Sequence, residues 1–485
     1  MEARKGFPQQ RSLLVEALTE QYNGIALPEV SANIKALGDE NTFTVTTAHQ
    51  PNIFTGPLYF IYKILHTIVL ADELNRQLPG NRFVPVYYMG SEDADLDELG
   101  FVNLGGQRLN WQTKQTGAVG RMKVDKGLIK LVHEIHGQAG VLPFGKELDS
   151  LFRECYTEGK TIQQATLELV NALFGSYGLV ILIPDNPKLK KLFHSVVEKE
   201  LREQFSHAVV SETIAALSKE YKVQAGGREI NLFYLTENKR ERLELVNDQY
   251  EVKALELSFT KEEIINELTT HPERFSGNVI LRGAFQETVL PDVAFIGGGG
   301  ELAYWLELKE VFAAVGIPYP ALVLRNSFLI LNGEQSSRIN KLGFAQAELF
   351  SDEISLLNKL VSRETKHQLS LKEQVNEAHA LYAKLKKIAS QIDTGLAEHV
   401  LSLETKALKK IHALEKKLLH AERQKYEAQG RQIKKLKSEL FPAGSLQERT
   451  DNFSLWYARY GREWLEKLRA ASTPFNAGFG IVTID

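Results

Sequence analysis

Residues 47–63, TAHQPNIFTGPLYFIYK, place His49 and Gln50 directly after a β-rich run and follow them with Thr55, Gly56 and Pro57 ahead of an aromatic segment at helical spacing. A helix start leaves its first NH groups without intrahelical acceptors and carries partial positive charge. Thr55 and Gly56 would let the backbone approach an anion, His49 and Gln50 would add side-chain donors, and Tyr59 and Lys63 follow on the helix. Lys63 lies nearly two turns in, which makes a direct phosphate contact less direct. The plain alternative is structural: Thr55 caps the helix and His49 satisfies a neighbouring carbonyl.

Two further clusters could share that chemistry. In GSEDADLDEL, residues 90–99, Glu92, Asp93, Asp95 and Asp97 could hold an ammonium, a ribose or a magnesium ion, or could simply cap the next helix. In IGGGGELAYW, residues 296–305, Gly297, Gly298, Gly299 and Gly300 offer bare backbone to a nucleotide or carboxylate. Glu301 follows in a first helical turn, with Tyr304 and Trp305 available for stacking. The glycine run matches neither a dinucleotide fingerprint nor a Walker loop and reads equally as a flexible turn.

The elements that must position these clusters read as α/β. Strands are expected at 43–47, 83–89, 178–185, 278–285, 293–297 and 319–325, with a helix from Pro57 to about residue 75. Strand, helix and strand in the first unit imply parallel pairing, and ligands in such sheets bind beyond the carboxyl ends of the strands. The expected core is 1–335, interrupted by insertions at about 105–175, mainly helical, and 222–275, where Gly226-Gly227 and Glu237-Asn238 read as hairpin turns. Residues 336–440 form an arm. One apolar seam runs from Leu371 through Tyr382 and Leu385 to Leu396, a second from Ala407 to Ala421, with a helical hairpin tip at 393–395. A single continuous rod is the competitor. Residues 441–485 are expected to return to the core.

The bulk numbers exclude several classes. Over 485 residues, 58 basic and 61 acidic side chains leave a net charge of −3, so no global field favours nucleic acid or an anionic membrane. The basic stretch at 405–440 reads as a solvated helical face. One cysteine, Cys155, excludes an intramolecular disulfide framework and reads as a packing residue rather than a nucleophile. No apolar leader or membrane-length run is present, and a cytoplasmic location is expected. GxSxG, HExxH and CxxC are absent.

Taken in order, the motifs resemble the bacillithiol biosynthesis cysteine-adding enzyme family. TAHQPNIFTGPLYFIYK matches its opening pattern, although Ala48-His49 stands where Gly-Gln is commoner. GSEDADLDEL, the glycine block from Val289 onward and LFPAGSLQERTDNF match three more. The resemblance implies a Rossmann-like core akin to nucleotidylyl-transferases, two insertions and a dimerising coiled-coil arm. It implies a ligase that joins cysteine through an amide to the amine of glucosaminyl-malate. A carboxylate needs activation before an amine will attack it, as an adenylate or an acyl phosphate, so ATP is expected as cosubstrate. The helix start with His49 and Thr55 would then stabilise phosphoryl charge, Gln50 would share the catalytic site, a magnesium ion would sit on Glu92 or Asp93, and Asp95 would accept the amine proton. The HIGH and KMSKS signatures of adenylate-forming synthetases are absent. A second nucleotide position could lie near Gln447, Arg449 and Asn452. Another nucleotide-dependent ligase or transferase, or a non-enzymatic scaffold acting through its arm, remains the alternative.

Overall fold

The computed structural model describes residues 1–475 and 478–484; Asn476, Ala477 and Asp485, which fall within the expected 441–485 segment, lie outside the described residues. The described chain divides into two compact units, one of residues 1–329 with the described part of 447–482, the other of residues 330–446 with 483–484.

The first unit is built on a five-stranded parallel sheet. Its strands are β1 (Thr42–His49), β2 (Arg82–Met89), β3 (Val180–Leu182), β4 (Asp292–Gly297) and β5 (Ala321–Leu324), in spatial order β5-β4-β1-β2-β3. Chain order runs outward from β1 in both directions, which is the doubly wound Rossmann order. The β-branched and aromatic run of β1 suits a strand buried on both faces: Phe43 and Val45 pack with Leu70, Phe83 and Ile296. Helix α1 (Tyr59–Gln77) crosses from β1 to β2.

Between β2 and β3 come α2 (Leu96–Leu99), a two-stranded hairpin at 101–110 and helices Lys126–Ala139, Gly145–Cys155 and Ile162–Phe174. Between β3 and β4 lie two small three-stranded antiparallel sheets. Tyr234 and Glu241 pair across the Glu237-Asn238 turn, as the sequence suggests. Gly226-Gly227 is not a hairpin turn. Strands are absent from 222–231, and the Gln224 and Ala225 NH groups donate instead to the Glu307 carboxylate at 2.8 and 2.9 Å.

Two local expectations are corrected. Residues 278–285 are not a strand but the start of α3 (Val279–Val289), because the Asn278 side chain accepts the Ile280 NH at 2.8 Å and caps a helix there. Pro57 is not the first residue of α1. It precedes the helix by two positions and bridges to Asn452 instead. After β4 the glycine run opens α4 (Gly299–Glu307).

In the second unit, α5 (Lys372–Ser390) and α6 (Thr394–Gln424) form a hairpin rather than one rod. The Leu371 NH donates to Glu415 and His379 bonds Glu404, so residue numbers rise on one helix as they fall on the other and the pair is antiparallel. Asp393 caps α6, its carboxylate accepting the Gly395 NH at 2.6 Å.

Candidate active site

The rule for doubly wound sheets puts the ligand crevice where two connections leave a strand in opposite directions, here between β1 and β4. A cavity of about 310 Å³ opens there. The end of β1 supplies Ala48, His49 and Gln50; the exits of β2, β4 and β5 supply Gly90, the Gly298–Gly300 run and Arg325. Helix α3 presents Val279, Arg282, Gly283 and Gln286, one face at helical spacing. Tyr59, Glu98 and Arg449 close the wall. A Cβ on Gly299 or Gly300 would meet nothing within 4 Å, so packing does not require these glycines, and they leave backbone bare to the cavity.

Charges in and behind the wall are mostly paired. Lys63, fully buried, reaches both Glu301 oxygens at 2.8 Å and also the Ala48 carbonyl, tying the end of β1 to the start of α4. Burial pulls the Lys63 ammonium below its ordinary value, against the pull of Glu301. Glu301 in turn accepts the Gly298 NH at 2.8 Å. Arg282 donates to Asp93 at 2.6 Å, and Arg240 lies 3.8 Å from the same carboxylate. Burial works to raise the Asp93 carboxyl, but the two guanidinium groups and hydrogen bonds from Arg282 and Gln50 outweigh it and hold it low. Arg325 grips Glu448 through two hydrogen bonds of 2.7 and 3.0 Å and lies over the Tyr59 ring. His49 is driven well below the usual imidazole range by burial first, then by Lys63, Arg325 and Arg282, so it is neutral. Its Nε2 is buried and finds no partner among the described residues. The Glu98 carboxyl is raised by burial and by Asp95 and Asp93. Burial and nearby carboxylates push the Tyr59 and Tyr304 phenols up to about 12.

The structure thus brings His49, Gln50, Tyr59, Gly298, Gly299, Gly300, Glu301, Tyr304 and Arg449 to one cavity. Trp305 touches its edge but is a core residue, stacked on Phe295 with centroids 4.3 Å apart. Gly297 lies within β4 and Lys63 behind Glu301. Thr55 and Gly56 are buried away from the cavity in a left-handed stretch, Phe54, Thr55 and Gly56 having φ of 50°, 69° and 64°. Asn452 holds that stretch, donating to the Phe54 and Gly56 carbonyls at 2.8 and 2.6 Å, while the Leu58 NH donates to the Asp451 carbonyl. The start of α1 is therefore closed by protein rather than open to an anion. Gln447 is buried like Asn452, so of that trio Arg449 alone reaches the cavity, and it is the same cavity.

In the acidic loop, Asp95 caps α2 by accepting the Glu98 NH, and Asp97 is exposed; neither lines the cavity. Glu92 pairs with Lys190 and accepts the Ser276 hydroxyl. With Asp93 committed to arginines as well, the expected magnesium ligands are already occupied by protein cations and do not fit a metal. Among the described residues no group of three or more His, Cys, Asp or Glu is placed to hold one. Sequence reasoning missed Glu98, Arg282, Gln286 and Arg325. The Asn278 cap and the i, i+3, i+4, i+7 spacing of the α3 face carried a signal for two of them.

Fold and site together define a Rossmann-like α/β protein with a polar ligand crevice at its switch point and a coiled-coil arm. Residues 1–326 match the family model described as bacillithiol biosynthesis BshC, N-terminal Rossmann-like domain, and residues 328–484 match its C-terminal coiled-coil domain. The chain belongs to the bacillithiol biosynthesis BshC family. It is 39% identical over 98% of its length to a protein of Flavobacterium johnsoniae and 40% identical over 98% to one of Christiangramia forsetii, covering 89% of each. It is 28% identical to a Bacillus cytotoxicus protein over 99% of this chain and 91% of the other. All three relatives are named "Putative cysteine ligase BshC". Among the described residues no helix is long and apolar enough to cross a membrane.

Proposed function

We propose that the chain joins the carboxyl group of L-cysteine through an amide bond to the amine of glucosaminyl-malate, the last step of bacillithiol biosynthesis, in the cytoplasm. Family membership and the relatives' names support a cysteine ligase. The observation that carries the reaction is the buried, neutral His49 at the cavity wall with its Nε2 unpartnered among the described residues. Burial keeps the imidazole uncharged, with Lys63, Arg325 and Arg282 adding to it, and the same surroundings disfavour an ammonium beside it. An amino sugar bound there loses its proton to solvent and presents the lone pair that attacks the carboxyl carbon, with the unpartnered Nε2 of His49 orienting it.

ATP is the proposed cosubstrate. The bare backbone of Gly299 and Gly300 at the start of α4, with Arg325 beside it, fits a phosphate. ATP, when bound, supplies the leaving group that takes the carboxyl oxygen. The arm is proposed to pair two copies. Leu385, Ile388 and Ile392 are 40, 57 and 75% exposed along one stretch, apolar surface that a coiled-coil partner would cover.

The test incubates purified protein with L-cysteine, glucosaminyl-malate and each candidate nucleotide, and reads product and nucleotide cleavage by mass spectrometry. The expected result is bacillithiol formed together with cleaved ATP, and loss of product in a folded His49→Ala variant. Absence of product with every nucleotide would remove the assignment. A different amine ligated with higher kcat/KM would move the protein to another nucleotide-dependent ligation.

A further inference from the structure

Most charges of the cavity wall have an internal counter-ion. Arg282 has Asp93 at 2.6 Å, Arg325 has Glu448 at 2.7 Å and Glu301 has Lys63 at 2.8 Å. His49 is neutral, and the Tyr59 and Tyr304 phenols stay protonated. Two wall side chains remain. The Glu98 carboxylate and the Arg449 guanidinium make no hydrogen bond or ion pair among the described residues, and both are on exposed residues open to a ligand. Both line the same cavity as Tyr59, and both act electrostatically on its hydroxyl. An unpaired anion and an unpaired cation in one cavity with a hydrogen-bond donor are complementary to a ligand carrying one charge of each sign.

We propose that Glu98, Tyr59 and Arg449 form the subsite for L-cysteine as a zwitterion, with Glu98 taking the α-ammonium, Arg449 the α-carboxylate and Tyr59 donating to that carboxylate. The identity of the amino acid rests on the ligation proposed above; recognition of a zwitterion does not. The arrangement answers a chemical problem of amide ligation. The sugar amine must attack the activated carboxyl group while the α-amine of the bound cysteine stays inert. An ammonium held by Glu98 has no lone pair and cannot attack, whereas an amine in the buried surroundings of His49 loses its proton. Different surroundings thus sort nucleophile from bystander.

The test is calorimetric binding to the full-length protein, under reducing conditions, of L-cysteine, 3-mercaptopropionate, which lacks the amine, and cysteamine, which lacks the carboxylate. Wild-type protein is expected to bind L-cysteine about tenfold tighter than either analogue. Glu98→Gln is expected to weaken L-cysteine about tenfold while leaving 3-mercaptopropionate within about twofold. Arg449→Met is expected to weaken L-cysteine and 3-mercaptopropionate alike while leaving cysteamine within about twofold. Unchanged melting temperatures, expected for exposed side chains, confirm the fold. Wild-type affinity for L-cysteine in either variant, equal weakening of all ligands, or no L-cysteine binding to the wild type overturns the proposal. Binding needs no turnover, which separates the two readings. The expected pattern without ligation removes the ligase assignment alone, and ligation without the pattern removes the subsite alone.

Discussion

Replacing Lys63 with Met keeps the length of the side chain and removes its charge, which isolates the ion pair that closes the crevice between β1 and α4. Lys63 Nζ stands 2.8 Å from both Glu301 oxygens, with the lysine side chain 1% exposed and the glutamate 27%. Unit charges about 4 Å apart attract by about 4 kcal/mol at an effective dielectric of about 20. Removing one partner of a buried pair costs about 3–5 kcal/mol. Water reaches part of Glu301 and absorbs some of that cost, so Lys63→Met is expected to destabilise the first unit by about 2–4 kcal/mol. The orphaned carboxylate also stands beside Gly299 and Gly300, so anion binding there should weaken in parallel. The Lys63→Met, Glu301→Gln double variant removes the uncompensated charge and should recover about half the loss or more, a coupling of about 2 kcal/mol. Urea unfolding followed by tryptophan fluorescence reads both values. A double variant no more stable than Lys63→Met would refute the charge argument and leave the shape of the lysine as the cause.

Asn452→Ala strips the donors from the Phe54 and Gly56 carbonyls in a stretch of positive φ. Hydrogen exchange at the Phe54 and Leu58 amides should accelerate, with a cost of about 2–5 kcal/mol, and unchanged exchange would mean the stitch is idle. Burial alone raises the Asp451 carboxyl to about 7. Its folded pKa lies above its unfolded one, so the folded state holds the proton more tightly and stability is lost as pH rises from about 4 to 7. The loss is on the order of 4 kcal/mol, and Asp451→Asn should flatten the pH dependence of unfolding between those limits and stabilise the protein at pH 8. Burial also pushes the Cys155 thiol up to about 12, so a thiol reagent should label it only on unfolding, and fast native-state labelling would contradict its packing role.

Strand ends were legible because β-branched runs broken by Gly and Pro are local signals. Thr42–His49, Arg82–Met89 and Asp292–Gly297 fall where the pattern places them, and with them His49, Gln50 and the glycine run. Local signals also misled. Val279-Ile280-Leu281 looks like a strand, yet one hydrogen bond to the Asn278 side chain starts a helix, and with the helix came Arg282 and Gln286. In the acidic loop the choice between Asp95 and Glu98 turns on the rotation of a single helical turn, which composition does not encode. The closure of α1 was out of reach for another reason. Its partners, Asp451 and Asn452, lie nearly four hundred residues away, and nothing near Thr55 announces them.

That distance bears on the order of events during synthesis. The central strand and the helix that follows it are made early, but Glu448, Arg449 and Asn452 leave the ribosome only after the 117 residues from Ile330 to Leu446. At roughly 5–20 residues per second that is a wait of about 6–23 s. Through that interval the nascent sheet carries Arg325 without its carboxylate and a left-handed turn without its clasp. A ribosome-bound chain stopped before the arm is complete should therefore lack a finished pocket, which is completed only once residues 448–452 have emerged.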